Sequence, residues 1–408
     1  MSAQTAIVIG GGIAGCATAY ALAIKNINVI VIERHTSLAT EASGNPFAVL
    51  YPRLTGQNTA LEALNIHGYL YTLNWLNMLG FEHSQYLACG VVQLAINQKL
   101  ELKQNKLAEA YINSALQYQQ LNAEQLSQIA GTQISHSGLY FPQAGGVNLA
   151  QLCNIMAAHP NIKVITNTQA LQLKRTSDNA WQVHANNLSN HVAEAENIVI
   201  ANANDAAKLI QTAHLPLIAS RGQLTYLNSI ASSENLRTIV CGDGYITPAI
   251  NRLHYLGATF SKQDNTTELR ADDHESNLQK LKKMSMPLYE SLQKNVASGR
   301  VAWRCQTADY LPAAGLLLDA NTLKNGKFFY NNAVENLPWL TGLYVNVGHG
   351  AKGFLSAPIC AEVIACSITK NTETLQSYLP NLLLNALQPS RFILRELGFK
   401  ALAQKLTV

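Results

Sequence analysis

Ala6-Ile7-Val8-Ile9-Gly10-Gly11-Gly12-Ile13-Ala14-Gly15 decides the fold: a strand-like apolar run breaks into G-x-G-x-x-G and continues into the helix-like Cys16-Ala17-Thr18-Ala19-Tyr20-Ala21-Leu22-Ala23. Glycine at the corner permits a positive φ, Gly12 lets the backbone approach an anion, and Gly15 lets helix and strand pack closely. A helix begun there offers free N–H groups to a phosphate, so Gly10, Gly12, Ile13, Ala14 and Gly15 are candidate pyrophosphate-binding residues. A second strand-like run, Val29-Ile30-Val31-Ile32, ends at Glu33, 18 residues past Gly15. A carboxylate at about that distance suits the ribose hydroxyls of an adenosine and repels a 2′-phosphate. Arg34, the next residue, joins it as a candidate. The same spacing returns near the other end of the chain, in Gly348-His349-Gly350-Ala351-Lys352-Gly353, after Leu343-Tyr344-Val345-Asn346-Val347 and before a helix-like stretch. One such turn accounts for a pyrophosphate; two imply a long cofactor held at both ends. Gly348, Gly350 and Gly353 are the candidates at the second turn, with Lys352 either a cation for the cofactor or a solvated loop lysine.

The 408 residues suffice for two or three domains, and 48% hydrophobic content is ordinary for a globular protein. No apolar run reaches the ~20 residues that span a bilayer, and the N-terminus enters the first strand without a basic leader, so neither membrane nor signal peptide is expected. Seven scattered cysteines without a C-x-x-C pair fit reduced thiols in a cytoplasm rather than disulfides or a zinc site. His67, His83 and His254 have no metal-ligand spacing, and no metal is expected. The net charge of +4 is too small to mark a nucleic-acid protein. Its surplus is concentrated in 388–408, where Arg391, Arg395, Lys400 and Lys405 face only Glu396. That stretch is either a phosphate-binding tail or a solvated helix face.

The pattern along the chain is α/β: a Rossmann-like dinucleotide-binding domain built from discontinuous segments, with an inserted, mainly antiparallel β-sheet substrate domain. The expected division is 1–85, 141–215 and 333–375 for the first, 86–140 and 216–332 for the second, and a basic helical tail at 376–408. Helices are expected over about 59–79, 98–120 and 276–293, with Asn122 as the N-cap of a further short helix.

Ala42-Ser43-Gly44-Asn45, together with the two glycine turns and Ser356-Ala357-Pro358, resembles the D-amino-acid/glycine/sarcosine oxidase flavoprotein superfamily. Leu50-Tyr51-Pro52-Arg53, Cys241-Gly242-Asp243-Gly244-Tyr245, Trp303-Arg304-Cys305 and Leu387-Gln388-Pro389-Ser390-Arg391-Phe392 are similar, more narrowly, to the FAD-dependent oxidoreductase half of the MnmC family, bifunctional enzymes of tRNA wobble-uridine modification. The likeness runs over essentially the whole chain. Members of that family carry a methyltransferase half ahead of the flavin half, and this chain opens at the flavin domain, so a separate SAM-dependent methyltransferase is a possible partner.

The resemblance implies FAD as cofactor, with Ala42, Ser43 and Asn45 near its pyrophosphate and ring. It places Arg304 as a carboxylate clamp, Tyr245 as a hydroxyl donor, and Lys352 beside the flavin. Read alone, Arg304 could equally pair with a structural carboxylate. The implied substrate is tRNA bearing 5-carboxymethylaminomethyl-(2-thio)uridine, oxidised to 5-aminomethyl-(2-thio)uridine and glyoxylate, with reoxidation by O₂. Arg391, Arg395 and Arg53 are the candidates for RNA phosphates. The alternative is a small-molecule oxidase of glycine, sarcosine or a D-amino acid. Cys305 occupies the neighbourhood where sarcosine-oxidase-like relatives attach flavin covalently, and no covalent bond is expected here. No general base is required, and His349 is expected to be structural.

Overall fold

A computed structural model describes residues 4–54, 59–80, 86–110, 115–185, 187–326 and 334–403. His83 and Lys405 lie outside the described residues. The chain divides into two compact units, Met1–Gly44 with Leu149–Ala219 and Arg304–Val408, and Asn45–Asn148 with Ser220–Trp303.

In the first unit the run Thr5–Ile9 pairs in parallel with Asn28–Ile32 on one side and Asn197–Ile200 on the other. Ile162–Ile165 and Trp339–Val347 extend the sheet in parallel, and Ala313–Leu318 closes it as an antiparallel edge. Ile7, Val8, Val31, Ile198 and Val345 have no exposed surface, as expected of parallel strands covered on both faces. The helix Ile13–Ala23 packs on the helix Gly353–Ile368. Among the described residues Gly350–Ile368 is the one stretch long and apolar enough to cross a membrane, and 78% of it is buried inside the protein, as in a core helix. All seven cysteines are free thiols, six of them buried.

The stretch expected as a basic helical tail is helical in its described part, 376–403, and packs into the first unit. Helices Asn381–Leu387, Ser390–Glu396 and Lys400–Ala403 belong to the first unit, with Ile393, Leu394 and Leu402 buried against Leu318, Leu323 and Leu337. The other boundaries also differ from expectation: 45–85 and 141–148 fall in the second unit, 216–219 and 304–332 in the first. The divisions near 219 and 303 fall inside the long strands Leu217–Asn228 and Val296–Thr307, where no change of composition marks them.

The second unit is mainly antiparallel, with one parallel pairing between Val91–Leu94 and Ile239–Cys241. Its core gathers Val92, Leu94, Val240, Ile246 and Leu256 under Leu278, Leu281, Met284 and Leu288. Thr59 caps the helix Ala60–Met78, its hydroxyl accepting from Glu62 N at 3.2 Å. Asn122 forms a capping box with Gln125, the two side-chain-to-backbone bonds being 2.9 and 3.1 Å. The expected helix over 98–120 ends at Ala110, and Gln119–Leu121 is a strand paired with Gly138–Phe141. The single helix expected at 276–293 is two, Ala271–Met284 and Met286–Leu292. Ser285 leaves helical geometry between them, donates to Gln133 O at 2.7 Å, and is followed by Pro287 in the next first turn.

Candidate active site

At the first turn Gly10 has φ +109°, and an added Cβ would lie 2.7 Å from Ala201 O. A Cβ on Gly15 would lie 1.8 Å from Gly10 O, so nothing larger than glycine lets the helix start this close to the strand end. Glu33, buried, accepts through Oε2 from Gly11 N at 2.7 Å and through Oε1 from His35 N at 2.8 Å. Ser43 Oγ accepts from Ile13 N at 2.9 Å, and Ala42 heads the same short turn, Ala42–Gly44. By position, the amides of Gly12, Ala14 and Gly15 have no acceptor within the helix. Arg34 is engaged by two carboxylates, Glu41 Oε1 at 2.6 Å and Asp205.

At the second turn Gly348 and Gly350 have φ +84° and +56°. Their glycines serve different needs. A Cβ on Gly348 would come 2.6 Å from Thr307 Cγ2, whereas at Gly350 it would meet nothing nearer than Gln306 Cβ at 3.6 Å. Gly350–Lys352 forms a short 3₁₀ turn that runs into the helix at Gly353, whose added Cβ would touch Ile13 Cγ2 at 3.4 Å. The two glycine turns are thus neighbours in one unit.

A polar chain that sequence reasoning missed links them. Thr18 Oγ1 donates to Ala14 O at 2.7 Å and accepts from Asn346 Nδ2 at 3.0 Å. Asn346 Oδ1 lies 3.0 Å from His349 Nε2, and His349 Nδ1 lies 2.8 Å from Ser356 Oγ. With the Asn346 amide oriented by Thr18, Nε2 carries the imidazole proton and donates to Asn346 Oδ1, while the Ser356 hydroxyl beside Nδ1 donates to Lys352 O at 2.9 Å. Burial pushes the His349 pKa down to about 4, so the ring is neutral in ordinary buffers. It orients the turn and offers no base. Nothing in the sequence marks Thr18 and Asn346 as partners, because 328 residues separate them.

Arg304, half-buried, lies in the strand Val296–Thr307, two residues before Gln306, which forms a backbone bridge to His349. The structure therefore brings Arg304 and Lys352 onto neighbouring segments of the first unit. Cys305 is buried, and burial pushes its thiol up to about 12. In the second unit Asn45 Oδ1 accepts from Arg300 Nη1 at 2.7 Å, a partner the sequence did not suggest. Tyr245 is half-buried in the strand Tyr245–Ile246, opposite Gly257, where an added Cβ would lie 3.0 Å from Tyr245 Cε1. Arg53 is exposed. His254 is a core residue bonded to Thr247 O and Ser233 Oγ at 2.8 and 2.9 Å. Among the described residues no group of three or more His, Cys, Asp or Glu side chains could hold a metal ion.

One expectation is corrected. Arg391 has 0% exposed surface. Its Nε and Nη2 grip Asp309 at 2.9 and 3.0 Å, Nη2 also reaches Leu311 O at 2.8 Å, and Nη1 donates to Leu387 O and Gln388 O at 3.1 and 2.9 Å. All five guanidinium N–H groups are used inside the protein, and none remains for an RNA phosphate. Arg395 is exposed, at 52%, with Nη1 3.5 Å from the same Asp309.

The model of the family described as "FAD dependent oxidoreductase" (DAO) matches residues 5–367. The chain belongs to the DAO family. FAD is the cofactor of this family, and the first turn fits its adenosine diphosphate portion: glycines where a Cβ would strike backbone, a helix N-terminus with unused amides, and a buried carboxylate at the end of the second strand. Among relatives, the tRNA 5-methylaminomethyl-2-thiouridine biosynthesis bifunctional protein MnmC of Methylobacillus flagellatus is 41% identical over 408 residues, all of this chain and 62% of the relative. The protein of the same name from Stutzerimonas stutzeri is 39% identical over 404 residues, covering 97% of this chain and 60% of that one. The DAO-family chain described here therefore spans about three-fifths of these relatives. Among solved structures, the glycine oxidase of Geobacillus kaustophilus superposes with TM-score 0.72 at 18% identity, covering 90% of this chain and 95% of its own. The L-proline dehydrogenase of P. horikoshii gives 0.76 at 16% identity, covering 97% and 98%. At those identities the likeness is one of fold.

Proposed function

We propose that this DAO-family chain oxidises the carboxymethylamino group of 5-carboxymethylaminomethyl-(2-thio)uridine at the tRNA wobble position. The products are 5-aminomethyl-(2-thio)uridine and glyoxylate. In net terms the substrate amine, water and O₂ give the primary amine, glyoxylate and hydrogen peroxide. The observation that carries the reading is the 41% identity, over every residue of this chain, to a protein named for tRNA 5-methylaminomethyl-2-thiouridine biosynthesis. FAD, when bound, supplies the two-electron acceptor.

The first turn holds the diphosphate through the amides of Gly12, Ala14 and Gly15, with Ser43 fixing that turn through Ile13 N and Glu33 directed to the ribose. Arg304 grips the substrate carboxylate, for which a planar guanidinium is the suited partner. Tyr245 donates its hydroxyl to the substrate, and Lys352 places a cation by the second turn, where negative charge accumulates on reduction. His349 is neutral and fixed in the second turn, and the substrate amine must itself be neutral to react; cationic neighbours and burial favour that form. Arg395 and Arg53 remain candidates for RNA phosphates. The primary amine formed is the acceptor that a SAM-dependent methyltransferase acting afterwards would need.

Nucleoside mass spectrometry of tRNA from a deletion strain tests the reading. Accumulation of the carboxymethylaminomethyl nucleoside supports it, and an unchanged profile rejects it. Purified enzyme that turns over glycine, sarcosine or D-amino acids but not hypomodified tRNA would establish the small-molecule alternative.

A further inference from the structure

The burial of Arg391 removes one cation from the C-terminal segment, and Lys324 beside it pairs with Glu396 at 2.8 Å, while Arg395 stays 52% exposed, 3.5 Å from the Asp309 that Arg391 grips. A second basic surface lies on the helix Gln98–Ala110 of the second unit. Lys99, Lys103 and Lys106 recur at intervals of four and three, so they lie along one helical face over about 10 Å of axis. With Gln98 and Leu102 they line an open depression of about 340 Å³, and Leu102 is 58% exposed. Among the described residues no carboxylate pairs with any of the three lysines. Glu101, two residues from both Lys99 and Lys103, accepts from Ser137 Oγ at 3.2 Å.

Only 13% of this chain is charged, about half the usual share, so three like charges on one face are a concentration. Like charges at i,i+4 weaken a helix, and the row therefore opposes the fold that carries it. The opposite face is firmly anchored. Leu107 is fully buried, and Gln104, buried, donates to Gln93 O at 3.2 Å. Gln93 in turn donates to Leu54 O at 3.4 Å, beside Arg53. Gln93 lies on the strand Val91–Leu94, which pairs with Ile239–Cys241, the strand that pairs with Tyr245–Ile246. The lysine-bearing helix is thus joined to the sheet that bears Tyr245.

We propose that Lys99, Lys103 and Lys106 form a docking surface for the phosphate backbone of the tRNA substrate. Lysines along one helical face exchange bound counterions for phosphates, a sequence-independent contact that positions a polyanion while another site reads the base. This rests on the tRNA reading above.

The test is a salt titration of tRNA binding by the FAD-loaded enzyme and by its K99Q/K103Q/K106Q variant, glutamine being nearly as good a helix former as lysine. A variant with the same charge loss elsewhere, K163Q/K174Q/K282Q, is the control. Losing three phosphate contacts should flatten the slope of log K against log salt by about 2–3, with affinity about 100-fold weaker at 0.1 M salt if the two titrations meet near 1 M. The control should stay within about threefold of wild type, and flavin absorbance should be the same in all three proteins. An unchanged slope in the helix variant, or an equal loss in the control, overturns the docking surface while leaving the tRNA reading intact. Failure of the wild-type enzyme to bind tRNA overturns both. Binding instead to vesicles of anionic phospholipid, lost in the same variant, would assign the face to a membrane and overturn the proposal.

Discussion

Replacing Arg391 by Met should destabilise the first unit severely without touching RNA affinity. The guanidinium contributes five hydrogen bonds, two of them to Asp309, and its Cζ sits 3.9 Å from the Phe392 ring centre. Removing it leaves the Asp309 carboxylate, 27% exposed, with Thr307 Oγ1 at 3.1 Å, Leu311 N at 3.2 Å and a distant Arg395. Breaking one side of such a pair costs about 3–5 kcal/mol. For a unit of this size each kcal/mol lowers Tm by about 2–4 °C, so the melt should fall by roughly 6–20 °C. R391K keeps the charge but loses the two-pronged grip and should fall between. The double variant D309N/R391M should recover part of the loss, because the uncompensated charge goes too. Burial pushes the Asp309 pKa up, but Arg391 outweighs it and holds the carboxyl below its ordinary 3.8. The folded state thus binds this proton less readily than the unfolded state. The pair's contribution is complete above about pH 4 and disappears as pH falls through the lowered value. Thermal melts followed by circular dichroism over pH 2–7, with tRNA salt titrations of the folded variant, form the assay. A drop of less than about 2 °C, or a salt slope reduced by a full unit, refutes the structural role assigned to Arg391.

Gly15→Ala should abolish flavin retention, because its Cβ would overlap Gly10 O at 1.8 Å; normal absorbance near 450 nm in the purified variant would contradict this. His349 has a folded pKa of about 4 against 6.5, so its neutral form stabilises the protein fully above pH 6.5 and that contribution is lost as pH falls toward 4; H349N should remove this component of the stability–pH curve, and a curve identical to wild type refutes it. Cys305, with its thiol pushed up to about 12, stays protonated at neutral pH, so denaturation should release all the flavin, and a polypeptide one flavin dinucleotide heavier would disprove it. R304M should raise KM for the carboxylated nucleoside by about 10–150-fold, the worth of a charge-assisted bond at 1.5–3 kcal/mol, with flavin content unchanged. An equal loss of flavin would make Arg304 structural instead.

How much was legible depends on how local the cause is. The first glycine turn could be read directly, because positive φ at Gly10 and the tight approach at Gly15 are backbone demands that only glycine meets, whatever surrounds them. Asn122 as a cap was legible for the same reason, its bond reaching three residues. Ser285 was not read as a break inside the 276–293 helix, although the Ser285-Met286-Pro287 signal was present.

The amino-acid sequence alone thus determined the α/β class, the two glycine turns, Glu33 at the second strand's end and membership in a flavin-dependent group. These features arise from residues adjacent or nearly adjacent in the chain. Tertiary structure alone decided that Arg391 is a buried clamp, that Thr18, Asn346 and His349 join the two turns, and that the unit boundaries fall inside continuous strands. An arginine's charge is the same in both cases; whether it meets solvent or Asp309, 82 residues away, is settled only when the chain closes on itself and water is excluded.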